Sequence, residues 1–301
     1  NSIFSTTFAF VMKIVDKKWL YLSVLSVVWG SSFILIKKAL IGLTPLQLGA
    51  LRTLFAALFL LFIGFSYLKK IKKQQWKWIV ISAFLGTFIP AFLFAFAETQ
   101  IDSAVASILN STTPIVTLIL GAVLFKIVFS KNQLIGVIIG LVGSLLLIWS
   151  GADVNPNQNY WYSTLVLAAS VCYALNVNIL KKYLQDLPAM AIAAGNFIVL
   201  LVPSFLVLLY SGFFGLEFVG NTVLHVSLGY LLILSLVGTA VAKVLFNKLV
   251  QVSTPVFASS VTYTIPVMAL LWGLLDGERF SLFQAGAAAF ILLGVLMTNK
   301  K

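Results

Sequence analysis

Asn110-Ser111-Thr112-Thr113-Pro114, followed seven residues on by Gly121, has a counterpart in Thr262-Tyr263-Thr264-Ile265-Pro266, followed seven residues on by Gly273. The two prolines are 152 residues apart, and the match extends backwards at that offset: Ser107 pairs with Ser259, and Gly86-Thr87 with Gly238-Thr239. Downstream, Gln133 to Gly143 and Gln284 to Gly294 keep one spacing, ten residues in each case. At the start of each half, Lys37-Lys38 corresponds to Lys181-Lys182 and Pro45 to Pro188. The chain is built from a duplicated unit.

The surroundings of these stretches set their medium. Of 301 residues, 61% are hydrophobic and 9% charged, with mean hydropathy +1.07. A soluble domain carries about 25% charged residues, so this chain cannot cover a folded surface in water. Its apolar residues fall in blocks of about 20, the length a helix needs to cross a hydrocarbon core of about 30 Å. The runs are continuous rather than alternating, which excludes a membrane β-barrel.

Ten spans are predicted, near 19–38, 45–68, 76–98, 102–125, 131–150, 160–182, 188–211, 226–250, 255–275 and 281–299. Each copy of the unit therefore holds five, and an odd number makes the second copy enter the membrane from the opposite face. The expected fold is an all-α integral membrane protein, ten transmembrane helices in two inverted five-helix repeats. Inverted repeats are a signature of transporters that alternate access around a central site. The segments are 1–18, an N-terminal stretch; 19–150, the first repeat; and 151–301, the second. Met12-Lys13 reads as a natural start, with 1–11 as upstream or vector-derived sequence.

Charge placement gives orientation. Lys13, Lys17, Lys18, Lys69, Lys70, Lys72, Lys73, Lys77, Lys126, Lys131, Lys181, Lys182, Lys248, Lys300 and Lys301 fall on one side. The other side has Lys37, Lys38 and Arg279 with most of the acids. By the positive-inside rule both termini are cytoplasmic. A net charge of +12 invites a nucleic-acid reading, but only two of the 20 basic residues are Arg and the lysines sit in short connectors, so they read as topology. One His (His225) and one Cys (Cys172) exclude a disulfide framework and a histidine- or cysteine-held metal, and no cofactor is implied.

Trp29-Gly30-Ser31-Ser32-Phe33, Arg52-Thr53-Leu54-Phe55-Ala56-Ala57, the Ser/Thr-x-Pro stretches of spans four and nine, and Gly277-Glu278 before span ten resemble the EamA family of the drug/metabolite transporter superfamily. The resemblance covers 19–299. It implies export or exchange of small metabolites, often amino acids, across a bacterial inner membrane. One departure is Phe125-Lys126, where the family and the second repeat have Gly-Glu.

Buried charge is the sharpest lead within the spans, since an ionised group near the bilayer centre costs at least about 2.5–3.5 kcal/mol. Arg52 lies roughly 10 Å below the outer surface at 1.5 Å per residue. It reads as a carboxylate clamp, or as a structural partner of Glu98. Lys243 lies roughly 12 Å from the cytoplasmic end of span eight. It reads as a substrate or proton-handling group, or as a snorkelling side chain. Pro114 and Pro266 each free a carbonyl four residues back, Asn110 and Thr262, and read as hinges beside the transport path or as kinks repaired by a neighbouring hydroxyl. Asn176, Asn196 and Tyr263 are further polar candidates, with Asn178, and Trp29, Phe92, Phe96, Tyr173 and Trp272 form a candidate aromatic wall; for each the competing reading is ordinary packing. Gly136, Gly140 and Gly143 read as a close-packing or dimer face.

The expected partners are a small-molecule substrate, with or without proton coupling, and the lipid bilayer, in a monomer or homodimer without nucleic acid. An integral-membrane enzyme acting on lipid is the competing class. It would need a Ser–His pair, a carboxylate dyad or a metal site, and the spans hold no His and no pair of acids. The Gly-x4-Gly-Lys-Ser/Thr loop of an ATP-driven pump is absent.

Overall fold

A computed structural model describes residues 17–101, 103–149, 159–275 and 282–298. The described residues are helical, and we label their helical segments in chain order. Residues 17–149 contribute α1 (Lys17–Ala39), α2 (Pro45–Gly64, continuing as a 3-10 turn through Phe65–Lys70), α3 (Lys73–Ala97), α4 (Ser103–Asn110 and Thr113–Phe125) and α5 (Lys131–Trp149). Residues 159–298 contribute α6 (Ser163–Tyr183), α7 (Ala189–Tyr210), α8 (Thr222–Val252), α9 (Pro255–Ser259 and Val261–Leu275) and α10 (Leu282–Thr298). Each falls within about a turn of the hydropathy boundaries. Among the described residues, α1, α2, α3, α6, α7 and α8 are long and apolar enough to cross a membrane, and Thr113–Phe125, Lys131–Gly143 and Ala285–Thr298 are shorter apolar stretches. Large apolar side chains such as Phe62, Val123, Phe205 and Leu292 are exposed on the outside, where water would penalise them and lipid does not.

The helix starts follow local chemistry. Thr44 caps α2 by accepting from the Gln47 amide, Gln47 returns the bond to Thr44, and Pro45 takes the first turn, where its missing N–H costs nothing. Thr254 caps α9 in the same way by accepting from the Phe257 amide. Lys126, at the Phe125-Lys126 departure, ends α4 in the left-handed region with φ 55°, a conformation usually left to Gly or Asn.

Helices pack in pairs that exchange under a shift of five: α5 lies along α10 and α2 along α7, while α4 with α6 mirrors α9 with α1, and α3 with α6 mirrors α8 with α1. Gly136, Gly140 and Gly143 are spent inside this chain. A Cβ on Gly294 of α10 would lie 2.5 Å from the Gly140 nitrogen, so the two backbones touch. The elements departing from straight helices are α1, interrupted at Ser31, α4 at Ser111–Thr112, α9 at Ser260, and the π-helical segments inside α3 and α8.

Candidate functional site

The two π segments fall on the repeated Gly-Thr pair. Phe84–Phe88 in α3 contains Gly86-Thr87, and Leu234–Val241 in α8 contains Gly238-Thr239. In α3 the cause is Pro90, which has no N–H to give the Gly86 carbonyl. In α8 the Ala242 N–H turns to the Thr239 and Val237 carbonyls instead of Gly238's. A carbonyl left open in lipid must find another donor or face a cavity. Each finds one from a different helix: Lys243 Nζ donates to Gly86 O at 2.9 Å, and Trp29 Nε1 donates to Gly238 O at 3.1 Å. A Cβ at position 86 would stand 2.5 Å from the Asn176 amide and 2.6 Å from Lys243 Nζ, so any side chain there must displace one or both of these groups.

Between these segments lies a cavity of about 120 Å³, bounded by α1, α2, α3, α4, α6, α8 and α9. That is room for several waters or one small solute. Seven of the residues singled out by sequence line it: Trp29, Arg52, Asn110, Tyr173, Asn176, Lys243 and Thr262. Arg52 donates from Nε to Thr239 Oγ1 at 2.7 Å, which fastens α2 to α8. Glu98 and Tyr173 lie within electrostatic range of its guanidinium, but Glu98 does not line the cavity. Lys243 is buried and does not snorkel; its ammonium is held on the α3 wall. Aromatic faces complete the lining, with Trp29 5.3 Å from Phe246 and Tyr173 stacked 6.1 Å from Phe94.

Four expected site residues stand elsewhere. Phe92 packs against Gly49 and lies edge-on to Phe88 at 4.9 Å. Phe96 is partly exposed on the outside of α3. Tyr263 is fully buried, donating from its hydroxyl to Val137 O at 2.8 Å on α5 with its ring against Gly140. Asn196 is buried one shell back, 3.2 Å from Ser82 Oγ, and Ser82 in turn donates to Asn176 Oδ1 at 2.7 Å. It therefore positions a lining residue instead of being one. Asn178 bonds the Thr117 and Ala174 carbonyls. Trp272 lies outside the described side chains, and Gly277-Glu278 outside the described residues.

The carbonyls freed by the repeated prolines each lie within hydrogen-bond distance of a hydroxyl. Thr113 Oγ1 donates to Asn110 O at 2.7 Å, and the single Ser111 hydroxyl proton is shared between Ser107 O at 3.1 Å and Thr262 O at 3.2 Å. The repaired-kink reading holds for the bonding, while Asn110 and Thr262 still face the cavity. Sequence reasoning missed Thr87 and Thr239. Their signal was the repeated Gly-Thr pair, which served as evidence of duplication and was not read as a break in two walls.

The pattern that defines the EamA-like transporter family matches residues 17–149 and again residues 160–300. The chain belongs to the EamA-like transporter family. The inner membrane transporter YedA of Escherichia coli K12 is 28% identical over 287 residues, covering 91% of this chain and 88% of YedA. A transporter of Archaeoglobus fulgidus is 24% identical over 95% of this chain and 99% of its own length. Solute carrier family 35 member F5 of Bos taurus is 29% identical over 68% of this chain and 40% of its own length. A protein known from its crystal structure superposes with a TM-score of 0.70 at 16% identity, over 92% of this chain and 94% of that one, which shows a shared fold. This EamA-like chain is a multi-pass membrane transporter, and its setting is the lipid bilayer.

Proposed function

We propose that this transporter exports or exchanges small metabolites, amino acids and related compounds among them, across the inner membrane by alternating access. In this reading 19–150 and 151–301 are inverted five-helix repeats making ten crossings, with both termini cytoplasmic, and the cavity between them holds the solute. The observation that carries it is that equivalent Gly-Thr pairs, one from each repeat, break α-helical pairing on opposite walls of one cavity. Discontinuous helices meeting at a repeat interface are how such transporters present backbone dipoles to a solute. The exchange of helix pairs under a shift of five and the twofold match of the family pattern support the repeat.

Trp29, Arg52, Asn110, Tyr173, Asn176, Lys243 and Thr262 contact the solute, and Pro114 and Pro266 mark where α4 and α9 bend as the cavity changes face. The test is counterflow in proteoliposomes with ATP omitted. Preloaded unlabelled solute should drive uptake of the labelled form for at least one small metabolite. Exchange that appears only with ATP supplied would remove the secondary-transport reading.

A further inference from the structure

We infer that the cavity takes an organic anion: a small solute with one carboxylate or comparable oxyanion on a compact apolar body. The inference rests on the cavity being the transport site, and it narrows the metabolites that reading admits to those of net negative charge.

Two cationic side chains line the cavity and no acidic one does, among the described residues. Of the eight acids in the chain, Glu98, Asp186 and Glu217 are described, and none is a lining residue. The other five, Asp16, Asp102, Asp153, Asp276 and Glu278, lie outside the described residues. Both cations are only partly used. Arg52 spends Nε on Thr239, and its terminal guanidinium nitrogens make no hydrogen bond among the described residues. Lys243 spends one N–H on Gly86 O and keeps two.

Thr239, which holds Arg52, is four residues before Lys243 on α8, while the Lys243 ammonium reaches across to Gly86 O on α3, so the two cations meet the cavity from facing walls. A buried cation is costly in a water-poor space, and although Glu98 lies within electrostatic range of Arg52 behind the lining, no described acid shares the cavity with either cation. An anion between them relieves both penalties.

A second observation points to the same place. Thr87 is a lining residue, and its Oγ1 is buried without a partner among the described residues. A buried hydroxyl without a partner is uncommon, and it is able to donate to an oxyanion. The Trp29, Phe94 and Phe246 side chains supply an apolar surface for the rest of the solute. A zwitterion would find its ammonium without an acid, and an amine would face two cations. That unpaired or like-charge placement is what builds rejection into a site.

The probes are four compounds of one size: butanoate, butanamide, 2-aminobutanoate and butylamine. Their affinities for the purified full chain are read by thermal shift over a range of concentrations, since a ligand at free concentration L that binds the folded state stabilises it by RT ln(1 + L/Kd). Butanoate should bind at least tenfold more tightly than each of the other three. Arg52→Gln and Lys243→Met should each weaken butanoate at least tenfold and butanamide less than threefold. If either variant fails to fold, the wild-type ranking decides alone. No response to butanoate, or 2-aminobutanoate or butylamine binding as tightly, overturns the assignment. Counterflow separates the two layers. Exchange of a zwitterion or amine with butanoate inert refutes the anion and keeps transport, whereas butanoate binding without exchange of any solute keeps the anion site and refutes transport.

Discussion

The π segments of α3 and α8 share a Gly-Thr pair and a place in the repeat, yet they are completed differently. The Gly86 carbonyl is met by an ammonium from the other repeat, and the Gly238 carbonyl by a neutral indole. Thr239 holds Arg52, while the equivalent Thr87 holds nothing among the described residues. At the offset of 152, the position of Lys243 corresponds to Ala91. The two halves thus place equivalent backbone breaks in facing walls and complete them differently. Each wall carries a cation, but Lys243 meets the Gly86 carbonyl itself whereas Arg52 is held beside the Gly238 carbonyl through the Thr239 hydroxyl.

The largest effect should separate the glycines. A Cβ at 86 meets the Asn176 amide and Lys243 Nζ at 2.5–2.6 Å, whereas one at 238 meets chiefly Ser32 Oγ at 2.9 Å, a hydroxyl bonded to Val28 O on its own helix and to neither cation. Gly86→Ala should abolish transport by expelling the ammonium, and Gly238→Ala should retain a substantial fraction. Equal loss in both would mean that the walls are interchangeable.

Next come the donors. Lys243→Met removes a buried charge, so it should keep or raise Tm while transport falls at least tenfold. Trp29→Phe removes one neutral hydrogen bond, worth about 0.6 kcal/mol between membrane helices, and should lower transport only severalfold. Full activity in Lys243→Met would take the ammonium out of the mechanism and leave the Gly86 carbonyl a purely structural acceptor.

The smallest effect concerns the threonines, read on stability. Thr239→Val deletes the acceptor of the Arg52 bond and should cost about 1–3 kcal/mol, the range for orphaning a buried donor. Thr87→Val deletes an unpartnered hydroxyl and should be neutral or slightly stabilising. A large loss of stability in Thr87→Val would show a partner for that hydroxyl and restore the symmetry.

How far the fold was legible follows from the physics of each element. Helix positions were readable because burial in lipid is set by runs of apolar residues, and the starts at Pro45 and Pro255 are marked by Thr caps. Arg52 and Lys243 were readable because charge inside an apolar run needs a reason. The π segments were not, since they depend on which backbone groups lose their partners once α1, α3 and α8 are packed. The aromatic candidates divided for the same reason. Trp29 and Tyr173 line the cavity while Phe92 and Phe96 do not, and only helix rotation, set by packing against Gly49 and its neighbours, distinguishes them. Asn196 was recognised as polar and buried, but its link through Ser82 to Asn176 is a tertiary contact that no spacing announces.

The central claim is that one cavity opens to each side of the membrane in turn, and accessibility from both faces tests it most directly. With the native thiol removed by Cys172→Ser, Thr87→Cys places a single reporter in the lining. Membrane-impermeant thiol reagents are then applied separately to right-side-out and inside-out vesicles. Alternating access predicts labelling from both faces at measurable rates, and slower labelling from both when the cavity is saturated by a solute that the protein exchanges. Labelling from one face alone, unchanged by such a solute, would contradict it.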